Sequence, residues 1–588
     1  MPRHHTTLLS HDGEPVDPRT LGEVHFDIRE IPFSRRGSWL NLSPVIAAHT
    51  TTDTVHLISH RNGFHGVLRL LPVRDGAPVD TRWSADPATF RWVSEDEGTV
   101  EAAFAGEDAI RLRGNGLGLR VTDAASELTP FSGAYLFKDA SDDALVFTSY
   151  ETGLRYRITL LSGAYAIDGC EVLGAATRSV LLGSDGAGWE AEVREVTSQQ
   201  AAASGSSTFA EVVAGSVEDF DAYLEDIASW RDTRTPAAAL AVYVLWSATV
   251  APSGFMTRES VLMSKHWMDK LWSWDHCFNA MALSPGRTDA AVDQFLAPFD
   301  HQDECGALPD SVTHSEVLYN YVKPPIHGWA LQRLRATATR DLTVEELRLV
   351  HDGLARWSRF WLDGRRRTGH ALPYYQHGND SGWDNSTTFD VDRVIESPDL
   401  AAFLALQLDV LADLSDELDR PSTQWRESRD LVLRALLDQL WTGTEFVAVG
   451  ALTGRPSTAT SLLNSLPLVL GDRLPDDVRA SMVDRLQDHL TAHGLATEPV
   501  SSAHYEDDGY WRGPIWAPST AIVENGLRRS GSEDLADVVS ARFRALCEGS
   551  GFAENFDART GAGLRDRAYT WTAAVYLLLA ADHVHRTS

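Results

Sequence analysis

The hydrophobic pattern of this chain changes period once, near Val217, and that change decides what it can fold into. Before it, apolar residues alternate or run briefly between turns: Thr54–Ile58, Gly66–Leu71, Ile110–Arg113, and the pair Leu145–Tyr150 and Leu154–Leu161. A period near two, punctuated by Gly, Asp and Asn, predicts antiparallel strands in numbers that suit a β-sandwich. After it, apolar residues recur at helical spacing over Leu400–Leu418, Val478–Leu490, Leu535–Cys547 and Tyr569–Val584. Strands followed by helices in 588 residues predict a multidomain chain rather than one interleaved core. The expected division is a β-sandwich over 1–217, a linker helix over 218–236 and a mainly α domain over 237–588. Asp219–Arg231 carries the polar amphipathic pattern of that linker helix, and Asp232–Pro236 reads as a link.

Charge narrows the function classes. The formal net charge is −31, from 52 basic and 83 acidic residues, and no Lys/Arg cluster offers a nucleic-acid face. The densest basic run, Arg365-Arg366-Arg367, reads as a solvated helix end. Ala237–Val250 is the longest apolar run; it is too short for a bilayer span and reads as a buried helix. Met1–His5 has no apolar stretch behind it, so no secretory signal is expected. Cys170, Cys277, Cys305 and Cys547 show no paired spacing and read as reduced thiols. These features point to the cytoplasm, with no membrane or nucleic-acid partner; nothing in them sets an oligomeric state. Gly114–Gly118 lacks a strand-turn-helix setting and reads as a turn rather than a phosphate loop.

Chemistry concentrates in long loops between the helices, where function usually sits. Lys265–His276 packs Trp267, Trp272, Trp274, Asp269 and Asp275 into twelve positions. Indole faces stack on pyranose rings and carboxylates accept from vicinal hydroxyls, although Trp rings also dominate cores. Gly306–Ser311 and Lys323–Trp329 read mostly as connectors, with His327 and Trp329 as weaker candidates. Gln376–Ser386 holds Trp383, Asp384 and Asn385 in a Gly-broken loop. Burial beside Trp383 would raise the pKa of Asp384 toward that of a general acid. Asp384 also suits a helix cap, and Asp380 is a competing acid. Tyr510-Trp511-Arg512-Gly513-Pro514-Ile515-Trp516 is a rigid donor and stacking platform. Glu554 follows in Gly551–Asp557; alone it reads as a surface Glu in a turn, with Glu524 as the alternative base. No Walker loop, GxSxG elbow or HExxH occurs, and the histidines lack metal-ligand spacing. No metal and no organic cofactor is therefore expected, although loop Asp and Asn would suffice for a calcium.

Gly382-Trp383-Asp384-Asn385-Ser386, the Tyr510–Trp516 run, and Glu554-Asn555-Phe556 with Gly561 and Tyr569-Thr570-Trp571-Thr572 resemble glycoside hydrolase family 63, as does Trp272-Ser273-Trp274-Asp275. The resemblance spans roughly 236–588, in the order that family uses. It implies an (α/α)6 barrel, a site in the loops at one end, and an inverting mechanism on α-glucosides or on glucosyl or mannosyl glycerates. It places the general acid on Asp384 and the general base on Glu554, with Phe556 replacing the usual Tyr. It also implies that the β-domain is an accessory domain packed on the barrel.

The expectation is an inverting, exo-acting α-glycosidase on a small carbohydrate, with an α-glucoside preferred. Asp384 would protonate the leaving oxygen and Glu554 would activate water, the pair lying ~6.5–9.5 Å apart. Trp272, Trp274, Asp275, His327, Trp329, Gln376, Trp383, Asn385, Tyr510, Trp511, Arg512, Trp516 and Trp571 would bind the sugar. Two rivals are a phosphorylase on the same architecture, which would need no Glu554, and a sugar-binding protein without a working pair.

Overall fold

The computed structural model describes residues 24–125, 134–171, 177–197 and 206–587. Met1–His5, read above for a secretory signal, lies outside them. The strand-rich part forms two antiparallel sheets. One runs, in sheet order, Leu40–Ala47, Thr50–Ser59, His65–Arg74, Gly118–Asp123, Ser179–Leu182 and Tyr165–Asp168, with Ala77–Pro78 on the side. The other runs Ala134–Lys138, Leu145–Ser149, Arg155–Ser162, Trp189–Val196, Ala109–Asn115, Thr99–Phe104, Phe90–Val93 and Arg82–Ala85. Their inner faces bury Leu57, Leu68, Phe90, Trp92, Ile110, Leu112, Phe147 and Tyr156 in one core. The expected pair registers through Val146 opposite Arg157. Gly114–Gly118 is a turn that passes the chain from one sheet to the other, with Gly116 at φ 70°.

The helices are α1 (Phe209–Ala228), α2 (Ala238–Ala248), α3 (Asp275–Leu283), α4 (Thr288–Leu296), α5 (His327–Thr337), α6 (Val344–Arg359), a single turn α7 (Gly378–Ser381), α8 (Pro398–Glu417), α9 (Thr423–Ala435), α10 (Asp476–His489), α11 (Ala517–Arg529), α12 (Glu533–Ser550) and α13 (Thr570–Thr587). α1 begins well before the amphipathic run at Asp219, because Thr208 and Glu211 close a capping box there. Six staves close an inner ring: α3 packs on α5, α5 on α8, α8 on the segment Leu462–Arg473, that segment on α11, α11 on α13, and α13 back on α3. Leu462–Arg473 is 3₁₀ in character; Pro467 removes a donor and Gly471 kinks it at φ 58°. α2, α4, α6, α9, α10 and α12 pack outside this ring, giving an (α/α)6 barrel preceded by the β-sandwich.

α2 is the outer helix that breaks the amphipathic rule. Ten of its eleven residues are buried, because α13 covers one side and α1 the other. The sandwich is fastened close by. The Tyr243 hydroxyl donates to the carbonyls of Pro32 and Ser34, and Trp39 Nε1 donates to Ala251 O at 2.9 Å. Lys265 Nζ, fully buried with its pKa well below the usual ammonium range, donates to Ser34 Oγ at 2.9 Å and to the Ser38 carbonyl. None of the helices of the described residues is long and apolar enough to cross a membrane.

Candidate active site

Three loop segments converge at one end of the ring. The first follows α7. Gly382 sits at φ 73°, and a Cβ there would lie 2.4 Å from the Trp274 ring, so only glycine lets the chain turn Trp383 and Asp384 inward. Asn385 then stitches this loop to the second segment. Its amide donates to Gly509 O at 3.0 Å, Trp511 N donates to its Oδ1 at 3.0 Å, and Arg512 Nε donates to its carbonyl at 2.7 Å. Arg512 also pairs with Asp390 at 2.6 Å. The third segment is the hairpin Asn555–Phe556 with Gly563–Leu564, which docks through the reciprocal backbone bonds of Ile515 and Phe556. Glu554 enters it and donates its N–H to Asp566 O at 2.7 Å.

Glu554, Asp275 and Asp566 are buried, Asp384 is half-buried, and they feel one another. Burial pushes Glu554 up to about 8; the Asp566 charge adds to this, Arg565 opposes it, and Asp384 adds again. Burial also raises Asp384, against Lys323 and a hydrogen bond with Tyr510. Burial takes Asp275 to about 8, with Lys323 opposing and Asp310 and Asp384 contributing. The Tyr510 phenol is raised by burial and then by Asp384 and Glu554, so its hydroxyl stays protonated beside Asp384. Asp566 behaves oppositely. His266 Nδ1 at 3.0 Å, Ser264 Oγ at 2.6 Å and Ala568 N at 3.0 Å hold it below the ordinary carboxylate range.

The indoles form the floor. Trp511 stacks on Trp516 with centroids 4.0 Å apart and 6° between planes, and Trp383 lies 4.6 Å from Trp511. Trp571 meets Trp274 and Trp516 edge-on at 5.6 Å. All five are buried, so they act chiefly as core beneath the cleft. Four polar atoms here lack a protein partner: Trp511 Nε1, Trp571 Nε1, Asn555 Nδ2 and Asp275 Oδ2. Buried polar groups are normally satisfied, so unspent donors and an unspent acceptor beside paired carboxylates suit a hydroxyl-rich ligand.

The remaining expected residues fall elsewhere or have partners. Gln376 is exposed, and its N–H donates to Asp380 Oδ2 at 2.8 Å. Asp380 also accepts from Val322 N and pairs with Arg365 at 2.9 Å, which makes it a structural hub rather than a free acid. Arg365, expected to be solvated, is therefore drawn inward by that ion pair. Trp329 donates to Asn525 at 2.9 Å on the inner helices, and Glu524 pairs with Arg528 at 2.6 Å. Trp272 is half-buried in a short strand paired with Ser311. His327 is fully buried against His276, away from the carboxylates in contact terms. Four residues of the cluster were not singled out from sequence: Asp310 and Lys323, paired at 2.8 Å, and Arg565 and Asp566. A lone Lys before Pro324-Pro325 was the available signal for the first pair. A depression of about 780 Å³, lined by Arg69, Arg120, Asp123 and Arg178, lies on the sandwich and shares no residue with this cluster.

The fold and the barrel segment have counterparts among known proteins. Residues 268–572 match the mannosylglycerate hydrolase MGH1-like glycoside hydrolase domain. A mannosylglycerate hydrolase of Rubrobacter radiotolerans is 26% identical over 400 residues, 52% of this chain and 89% of that protein. A glucosylglycerate hydrolase of Mycolicibacterium hassiacum is 23% identical over 59% of this chain and 98% of its own length. The solved glycoside hydrolase family 63 mannosylglycerate hydrolase of Thermus thermophilus with glucose superposes with a TM-score of 0.53 at 20% identity, covering 59% of this chain and all of that one. A bacterial glucoamylase with acarbose gives 0.63 at 10% identity over 95% of this chain and 94% of that one, sandwich and barrel together. This chain is a glycoside hydrolase and belongs to the mannosylglycerate hydrolase MGH1-like family.

Proposed function

We propose that this enzyme hydrolyses an α-linked hexosyl glycerate with inversion of the anomeric centre, Asp384 acting as general acid and Glu554 as general base. The observation that carries this reading is the pair of desolvated carboxylates, Glu554 buried and Asp384 half-buried, that feel each other's charge while the Tyr510 hydroxyl bonds Asp384. Two like charges in one dry site cannot both ionise easily, so the pair holds one proton over a range of pH. That state supplies one acid and one base at once, which glycoside inversion requires. Asp384 gives its proton to the leaving oxygen, while Glu554 takes a proton from water as the water oxygen bonds to the anomeric carbon. Asp275 and the unspent N–H groups of Trp511 and Trp571 bind sugar hydroxyls, and Lys323 holds Asp275 and Asp384 by charge.

The glycerate aglycone follows the names of the relatives and replaces the simple α-glucoside expected from sequence. Its carboxylate needs a cation. Arg565 is the best-placed one: it lies near Glu554 and over Tyr510, and its ion-pair partner Asp508 is largely exposed and displaceable.

One observation favours the reverse assignment. Before substrate binds, burial holds Glu554 near 8, so Glu554 itself carries a proton at neutral pH. Hydrolysis of an α-glycosyl fluoride, whose leaving group needs no acid, decides between them. Asp384→Asn should keep turnover on the fluoride and lose it on the glycerate, while Glu554→Gln loses both. The opposite pattern would exchange the roles, and retention of configuration in the wild-type product would overturn the inverting reading.

A further inference from the structure

Beneath the Trp274–Asp275 edge of the cleft lies a side-chain cluster that hydrolysis does not use. We propose that His276, Cys277 and His327 form a binding site for a thiophilic closed-shell cation, Zn²⁺ or Cu⁺, which joins the first turns of α3 and α5.

The donor set is chemically coherent. Two imidazoles and one thiolate are the ligands that such cations prefer over carboxylates and water. One ligand atom from each residue lies within 4.8 Å of the others, so small rotations bring all three onto one ion. All three side chains are buried, His327 and Cys277 completely.

The ring orientations support ligation. His276 Nδ1 lies 3.1 Å from the Trp272 carbonyl, which favours the proton on Nδ1, although the Phe295 backbone also stands within reach of the ring. Its Nε2 lone pair then faces Cys277 Sγ at 3.6 Å. A histidine whose outer nitrogen donates to a carbonyl is the usual arrangement of a metal ligand. His327 is the stronger sign. Neither of its ring nitrogens makes a hydrogen bond of good geometry, the Ser273 backbone standing only loosely in reach, although the residue is 0% exposed. A buried imidazole so weakly satisfied is costly, and a cation would satisfy it.

The surroundings favour a closed, dry site. The rings of Phe295, Phe299 and Trp357 lie 5.3–6.3 Å from that of His327. Such a wall suits three-coordinate Cu⁺ with no further ligand, or Zn²⁺ with one small ligand added. On binding, Cys277 loses its proton to solvent and three metal–ligand bonds form, with no redox change. Spacing along the chain hid this group, since the third ligand comes from another helix. The ion would rivet two neighbouring staves of the inner ring directly under Asp275.

The test is the metal content of tag-free, full-length protein by plasma mass spectrometry, after purification under reducing conditions without chelator. About one equivalent of zinc or copper per chain is expected, falling below about a tenth in Cys277→Ser. A Cu⁺-specific chelator and a zinc dye identify which ion it is. Cobalt loading of the wild type should give a thiolate-to-metal charge-transfer band, and zinc or Cu⁺ should raise Tm in the wild type but not in Cys277→Ser. The proposal is overturned if wild type takes up neither ion, if metal content is the same in Cys277→Ser, or if no thiolate band appears. The cobalt spectrum needs only wild-type protein, so it decides the matter even if the variant fails to fold.

Discussion

The guanidinium of Arg565 lies 5.0 Å from the ring centroid of Tyr510, and both residues hold left-handed backbone, at φ 59° and 63°. Such conformations cost energy in residues with a Cβ and persist where surrounding structure imposes them. Here the strain brings together the group that bonds Asp384 and the group whose Nη1 donates to Asn555 at 2.9 Å, next to Glu554. The acid and base candidates are thus supported through one stacked pair.

Tyr510→Phe keeps the ring under Arg565 and removes the donor to Asp384. Loss of a hydrogen bond to an ionised group is worth about 1.5–3 kcal/mol, so kcat/KM should fall about 10- to 100-fold with little change in Tm. Steady-state kinetics beside a thermal melt check this; unchanged kinetics would remove the phenol from the mechanism.

Arg565→Gln separates aglycone charge from the chemistry. Hydrolysis of hexosyl glycerate should drop about 100-fold, while the matching hexosyl glycerol, which lacks the carboxylate, should change less than about 5-fold. Equal losses on both substrates would place the recognition of charge elsewhere.

Glu554 also sets a stability trend. Its folded pKa, near 8, lies above the ordinary value of 4.5, so the native state binds its proton more tightly than the unfolded chain does. The contribution is fully favourable below about 4.5 and is lost as pH rises toward 8. Glu554→Gln should therefore melt with wild type near pH 4.5 and several degrees higher at pH 8.5. A Tm gap that does not widen with pH would contradict the raised pKa.

Gly382→Ala should be severe. A Cβ at φ 73°, 2.4 Å from the Trp274 ring, combines backbone strain with overpacking, about 2–4 kcal/mol in total. Near-wild-type stability by denaturant melting would show that Trp274 yields freely.

Much of this was legible in the chain because it is local. Period-two and helical patterns mark Thr50–Ser59, His65–Arg74, α8, α10, α12 and α13. Leu462–Arg473 escaped notice because it is neither α nor strand, and its Pro467 reads as a break. Glycine, Trp and Asp in one short loop marked Asp384, since a costly composition on few residues is visible without neighbours. Asp310, Lys323, Arg565 and Asp566 stayed hidden because their roles are electrostatic and arise only when distant loops meet. Asn385 and His327 were visible as candidates, but their partners were not: the Asn385 amide binds the backbone of Gly509 and Trp511, and His327 packs on a residue of another helix.

The double cover on α2 makes the two halves of this enzyme inseparable in practice. A chain cut at Ala237 would keep every catalytic candidate yet display an uninterrupted greasy rod, Ala238–Ala248, where α1 had lain. Such a fragment should self-associate rather than work as a minimal enzyme.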